Sequence, residues 1–162
     1  MVVKTGCSAS LVALHDACNA LKVGDARSAI VAGTMLNLDP TTTALMTTEG
    51  IISPNGSCKT FSANADGFAR AEAINCLYIK PIKHAIADGN PIRAVIRGVG
   101  SNSDGQSVTL MQPSRHAHAD LMRGVYASAG LDPAHTAYVE ASTRSEILGS
   151  DEDGESVTLT LK

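Results

Sequence analysis

The sequence predicts an α/β fold in which helices are layered on a sheet. Three observations predict it. A segment with helical periodicity, Ser8 to Lys22, is followed by a near-continuous apolar run, Ala29-Ile30-Val31-Ala32-Gly33 and on to Met35-Leu36. Helix and strand signals then keep alternating toward the C-terminus. A length of 162 residues suits one ordinary domain, able to bury roughly two thirds of its unfolded surface.

In the first helix, Leu11, Leu14, Cys18 and Leu21 recur on one face, and Gly24 is placed to stop the helix in a left-handed cap. Ser28 to Leu36 reads as a strand buried on both faces, as in a sheet covered by helices. Residues Asp39 to Gly67 are rich in Thr, Ser, Pro, Asn and Gly. They predict a long excursion over the sheet edge, with a short helix near Thr42 to Thr48. Ile74 to Ile79 is the next strand, and Ile82 to Asp88 a short helix ended by Gly89. Ile92 to Val99 reads as a strand with one wetter face, because Arg93 and Arg97 alternate with Ile92, Ala94 and Ile96. Pro113-Ser114 opens a helix whose buried stripe is His118, Leu121, Met122, Val125 and Ala129, with Gly130 as its stop. Thr136 to Val139 reads as a further strand. After Ala141 the segment Ser150-Asp151-Glu152-Asp153-Gly154-Glu155 and the alternating end Ser156 to Leu161 read as a solvated loop and frayed terminus.

The formal charge of −3 and the lack of any lysine or arginine run exclude a nucleic-acid surface, which needs a concentrated basic patch. No apolar run approaches the ~20 residues that span a bilayer, and Met1-Val2-Val3-Lys4-Thr5-Gly6-Cys7 lacks the apolar core of a signal peptide. The reading is a soluble, cytoplasmic protein with no membrane partner. Cys7, Cys18, Cys58 and Cys76 show no Cys-x-x-Cys spacing, so neither a zinc cage nor a disulfide framework is indicated, and reduced thiols are expected. His116 and His118, two apart, fall on different sides of a helix and do not form a metal pair. Gly98-Val99-Gly100-Ser101 with Asp104-Gly105 lacks the spacing of a phosphate or dinucleotide loop.

Cys7 stands in Thr5-Gly6-Cys7-Ser8-Ala9-Ser10, at the mouth of the first predicted helix. Unpaired N–H groups and the positive end of the helix dipole make a thiolate easiest to form there, so Cys7 is the candidate nucleophile. The same placement also suits a small buried apolar residue. His15, two turns into the helix, reads as a residue that packs or caps locally.

Thr5-Gly6-Cys7-Ser8-Ala9-Ser10 followed by Leu11-Val12-Ala13-Leu14-His15-Asp16-Ala17-Cys18 resembles the active-site segment of β-ketoacyl synthases, specifically the ketosynthase domain of polyketide synthases. Further stretches extend the resemblance in the right order. Ile51-Ile52-Ser53-Pro54-Asn55-Gly56 with Cys58-Lys59-Thr60-Phe61 is similar to the family's Leu-Ser-Pro-Asp-Gly-Arg-Cys-Lys-x-Phe. Ala65-Asp66-Gly67-Phe68-Ala69-Arg70-Ala71-Glu72-Ala73 is similar to its Ala-Asp-Gly-Tyr-x-Arg-Gly-Glu-Gly. Gly100, Asn102, Asp104 and Gly105 match its Gly-x-Asn-x-Asp-Gly turn, a structural loop near the acyl pocket. Ala87 to Gly98 and Ala129-Gly130-Leu131-Asp132-Pro133 continue the match. The start also resembles fungal iterative synthases.

The resemblance implies an incomplete thiolase-like layered fold, the end of a first α/β half and the start of a second. Residues 1–141 are read as a partial ketosynthase domain and residues 142–162 as a divergent acidic tail. It implies acyl transfer to Cys7, then decarboxylative condensation with a malonyl-type extender, in polyketide or fatty acid biosynthesis. The implied partners are an acyl carrier protein and acyl or malonyl thioesters. No cofactor is bound directly; substrates ride on the phosphopantetheine of the carrier. A homodimer is implied as well, joined through edge strands.

The chain departs from the pattern where condensation needs it most. The family's first histidine lies in Glu-Ala-His-Gly-Thr-Gly-Thr, whereas this chain reads Glu140-Ala141-Ser142-Thr143-Arg144-Ser145-Glu146, with Ser142 at the histidine position. The second histidine and an active-site lysine fall beyond Lys162. Lys4 replaces an acidic residue, Ser62 an aspartate, and Ala71 and Ala73 two glycines. Cys7 is therefore expected to be acylated at most. Two alternatives stand beside this reading: a non-catalytic remnant that keeps docking or dimerisation surfaces, and a wrongly delimited gene whose similarity stops near Ala141.

Overall fold

The computed structural model describes residues 1–59, 62–106 and 114–140, and they fall into two compact units. Unit 1 holds residues 1–35 and 73–101; unit 2 holds residues 36–72 and 102–140.

Unit 1 is built on α1 (Ala9–Val23), β1 (Ala29–Met35), β2 (Ala73–Ile79) and α3 (Ile82–Ala87). A 3-10 turn, Gly6–Ser8, leads into α1. Gly24 ends the helix in the left-handed region at φ 86°, and the Ala26 N–H bonds back to the Ala20 carbonyl at 3.3 Å. This is the cap that a glycine without a Cβ makes inexpensive. The strands β1 and β2 pair antiparallel, with Ala29 opposite Ile79, Val31 opposite Leu77 and Met35 opposite Ala73. Residues directly opposite share a face. Gly33 meets Ser10 of α1, so the Val31 face carries the helix; Leu14 and Val31 are the buried apolar residues there. The other face presents Ile30 with Tyr78, Ala32 with Cys76, and Thr34 with Ile74.

Unit 2 contains α2 (Pro40–Thr48), α4 (Arg115–Ala129) and a 3-10 turn at Pro133–His135. An aspartate caps α2: Asp39 accepts from the Thr41 N–H at 2.8 Å, and Pro40 sits at the first helical position, where its missing N–H costs nothing. Ser114 caps α4 by accepting from the Ala117 N–H, and Gly130 closes it at φ 62°. The stripe read for this helix is borne out: His118, Leu121, Met122, Val125 and Ala129 are half-buried, around the buried Ala119.

Three expectations fail. Residues 92–99 and 136–139 carry no regular secondary structure, although both read as strands. A strand exists only through its ladder partner, and among the described residues β1 and β2 are the only ladder. The run Ala29 to Met35 is not buried on both faces either. Ile30 is 72% exposed and Ile74, on the same outer face, 75%, because no helix among the described residues covers the outer side.

Candidate functional site

Cys7 is exposed and lies in the Gly6–Ser8 turn, one residue before the N-cap of α1. Gly6 enters this turn at φ +67°, with nothing within 4 Å of where a Cβ would stand, so its demand is conformational rather than steric. The Ser8 hydroxyl donates to the Thr5 carbonyl at 2.9 Å and lies 3.0 Å from the Thr5 hydroxyl. Ser8 therefore makes no side-chain cap to α1. The Ala9 N–H bonds back to the Gly6 carbonyl, and the positive end of the α1 dipole lies beside Cys7, a position suited to developing negative charge.

The seat of α1 on the sheet fixes where that mouth lies. A Cβ on Gly33 would stand 3.0 Å from the Ser10 Cβ, so β1 approaches the first turn of α1 closely enough that a side chain there would require Ser10 to give by a few tenths of an ångström. Cys18 is half-buried on α1, and burial pushes its thiol up from the ordinary cysteine value. The Cys58 sulfur accepts from the Ala69 N–H at 3.2 Å and serves as a local clip, while Cys76 is exposed on the open sheet face. All four thiols are free. The His15 Nε2 lies 3.0 Å from the Asn19 amide one turn further along α1.

In unit 2 the family-like motifs fold into one knot. Ser53, the one buried polar residue of the described chain at 2% exposure, donates to Asp66 Oδ1 at 2.7 Å. Lys59 pairs with Asp66 Oδ2 at 2.5 Å. The Lys59 hydrogen bond and then the Ser53 one hold the Asp66 carboxyl below the usual carboxylate range. Ile52 and Phe68 form a bridge, with the Ser53 N–H on the Phe68 carbonyl and the Phe68 N–H on the Ile51 carbonyl. Arg70 binds Asn37 Oδ1 through Nε at 3.0 Å, and the Asn37 N–H donates to Glu72 at 2.6 Å. Asn102 donates to the Ala117 carbonyl at 2.7 Å, and His118 lies 4.0 Å from Asp104. The loop at 102–105 is thereby tied to the first turns of α4, as a structural element.

The model of the N-terminal domain of β-ketoacyl synthases matches residues 1–85, and that of their C-terminal domain matches residues 93–157. The chain belongs to the β-ketoacyl synthase family. This ketosynthase chain is 52% identical over 141 residues to a highly reducing polyketide synthase of Fusarium sp, covering 86% of this chain and 6% of that protein. It is 42% identical over 161 residues to a partially reducing polyketide synthase of Menisporopsis theobromae, covering 99% of this chain and 6% of that protein. Among solved structures, the ketosynthase from module 6 of the bacillaene synthase from Bacillus subtilis 168 superposes with a TM-score of 0.86 at 36% identity, covering 91% of this chain and 27% of that one. The fold of the ketosynthase chain is thus part of the thiolase-like α/β fold read from its motifs. The chain spans about one sixteenth of the length of these curated relatives.

Of the residues singled out in the sequence, Ser142, the 142–162 tail, Thr60 and Phe61 lie outside the described residues. What the sequence reading missed is the pairing inside the motifs. Ser53, Lys59 and Asp66 were recognised as motif members but not as one cluster, nor were Asn37, Arg70 and Glu72. The available signal was the spacing of a lysine and an aspartate around a predicted excursion, which names partners only once the loop is closed.

Proposed function

We propose that the chain is the nucleophile-bearing part of a polyketide synthase ketosynthase, and that Cys7 accepts an acyl group from the phosphopantetheine thioester of an acyl carrier protein. The observation that carries this reading is the exposed Cys7 in a Gly6–Ser8 turn at the mouth of α1, inside the segment matched by the family's N-terminal domain. The Cys7 thiolate attacks the thioester carbonyl carbon, a new C–S bond forms, the carrier C–S bond breaks, and the released carrier thiolate takes up a proton. A thiolate suits the step because it is a strong nucleophile and leaves a thioester still reactive toward carbon.

Condensation is a different matter. The resemblance assigns the enolate and oxyanion of that step to two histidines and backbone N–H groups; Ser142 stands at the first histidine's position. A neutral hydroxyl is a weaker donor than imidazole, and losing one positioned acid or oxyanion donor costs ~10² to 10⁴ in rate. Acylation without condensation is the expected behaviour of this chain. The starter acyl group comes from the carrier, and the family's homodimer would join edge strands; among the described residues β1 and β2 pair only with each other. Four free thiols support a reducing compartment such as the cytoplasm. No helix among the described residues is long and apolar enough to cross a membrane.

Incubation of the purified chain with a radiolabelled acyl thioester, followed by peptide mapping, tests the reading. Label confined to Cys7 and lost in Cys7→Ala is the expected result. A folded sample without label, or with label spread equally over Cys7 and the exposed Cys76, would overturn it.

A further inference from the structure

At the far end of α1 from Cys7, about 20 Å along a helix of this length, unit 1 carries a cleft of about 440 Å³ between the end of α1 and the start of α3. Its volume lies within the range of small-molecule sites. Leu21 and Pro81 contribute apolar wall. Lys22, Arg27 and Lys83 bring three cations, and none of the three is in an ion pair among the described residues. No carboxylate lines the cleft, in a chain whose net charge is −3. Two acids stand nearby: Asp25, in the chain between the lining residues Gly24 and Ala26, and Asp88, the C-cap of α3, which is held by Lys80 and also feels the charge of Arg27. His84 completes the lining, and its Nδ1 is buried without a hydrogen-bond partner.

We propose that this cleft binds an organic phosphate, with the phosphate on Arg27, Lys22 and Lys83 and the organic part against Leu21 and Pro81. Three cations exceed what one carboxylate needs, whereas a phosphomonoester carries close to two negative charges and three terminal oxygens. A guanidinium matches two of those oxygens at once, and the ammonium groups act as flexible point charges. The carbonyl end of α1, which repels anions, is blunted here by the Ala26 to Ala20 hydrogen bond and by Lys22 in its last turn. The proposal is independent of whether Cys7 is acylated.

Calorimetric titration of the whole chain with inorganic phosphate, phosphopantetheine and adenosine monophosphate tests it. Saturable binding is expected, with at least one organic probe about tenfold tighter than inorganic phosphate, the preference that roughly two buried methylenes' worth of apolar contact provides. The tighter of the two organic probes identifies the source as a carrier-type arm or a free nucleotide. Arg27→Glu, and separately Lys83→Glu as a guard against misfolding of the first variant, should weaken binding about tenfold or more by loss of a charge-assisted hydrogen bond. Arg123→Glu, the same change of charge on the exposed face of α4, should leave it unaltered. Absence of saturable binding, equal weakening in Arg27→Glu and Arg123→Glu, or no preference for an organic phosphate would each overturn the proposal.

Discussion

Gly67 holds its loop by lacking a side chain. A Cβ there would stand 2.4 Å from the Ser53 nitrogen, 2.7 Å from the Ile52 carbonyl carbon and 2.8 Å from the Ile51 oxygen, all backbone atoms that cannot swing aside, and its φ is +128°. Gly56 in the same excursion also has a positive φ of +59° but has nothing within 4 Å of a Cβ. Gly67→Ala is therefore predicted to lose more stability than Gly56→Ala, about 2 kcal/mol or more against about 1 kcal/mol, as compared by thermal unfolding. Asp66 next to it gives the knot a pH dependence. Its carboxyl is held low by Lys59 and then Ser53, so its contribution is complete above the ordinary aspartate range and is lost as pH falls through the depressed folded value. Amide-exchange protection at Ser53, whose N–H bonds to Phe68, should fall in that acid window in the native chain. In Asp66→Asn it should be low already at neutral pH and insensitive to acid.

At the scale of elements, the caps were legible and the contacts were not. Ser114, Gly24 and Gly130 act within one turn of the helices they bound, so local chemistry is enough to read them; the Asp39 cap starts α2 at Pro40, two residues before the expected helix near Thr42. The seat of α1 on β1 joins residues far apart in the chain. Gly33→Ala is predicted to push Ser10, and with it the turn that carries Cys7, by a few tenths of an ångström, since tightly packed neighbours must give way when a methyl is inserted. The expected outcome is a severalfold slower acylation of Cys7 with the fold retained, measured as the rate of label incorporation beside the circular dichroism spectrum. Unchanged acylation would mean that the helix mouth does not depend on this approach.

For the whole molecule the open side of the β1–β2 ladder matters most. Ile30, Tyr78 and Ile74 share that face at 72, 61 and 75% exposure, and contiguous apolar surface of this kind promotes association. The native chain is predicted to bind an apolar fluorescent dye. Ile74→Lys should cut that binding and raise solubility with little change in the unfolding midpoint, because the side chain leaves no core contact behind. A large fall in the midpoint would show instead that this face is packed in solution.

By itself the sequence placed α1 and α4 with their glycine stops, extended segments at β1 and β2, and the family to which the motifs belong, because periodicity, caps and contiguous motifs act over a few residues. Residues 92–99 and 136–139 show the limit. Their apolar patterns favour an extended strand, but a strand is held by hydrogen bonds to another segment, and no pattern within nine residues states whether that segment is there. Only the tertiary structure decided that Ile30 faces outward while Val31 is buried, that Ser53, Lys59 and Asp66 meet, that Gly67 is pressed against the Ile51–Ser53 backbone, and that Lys22, Arg27 and Lys83 line one cleft. Each depends on chain closure between distant residues, which local propensity does not encode.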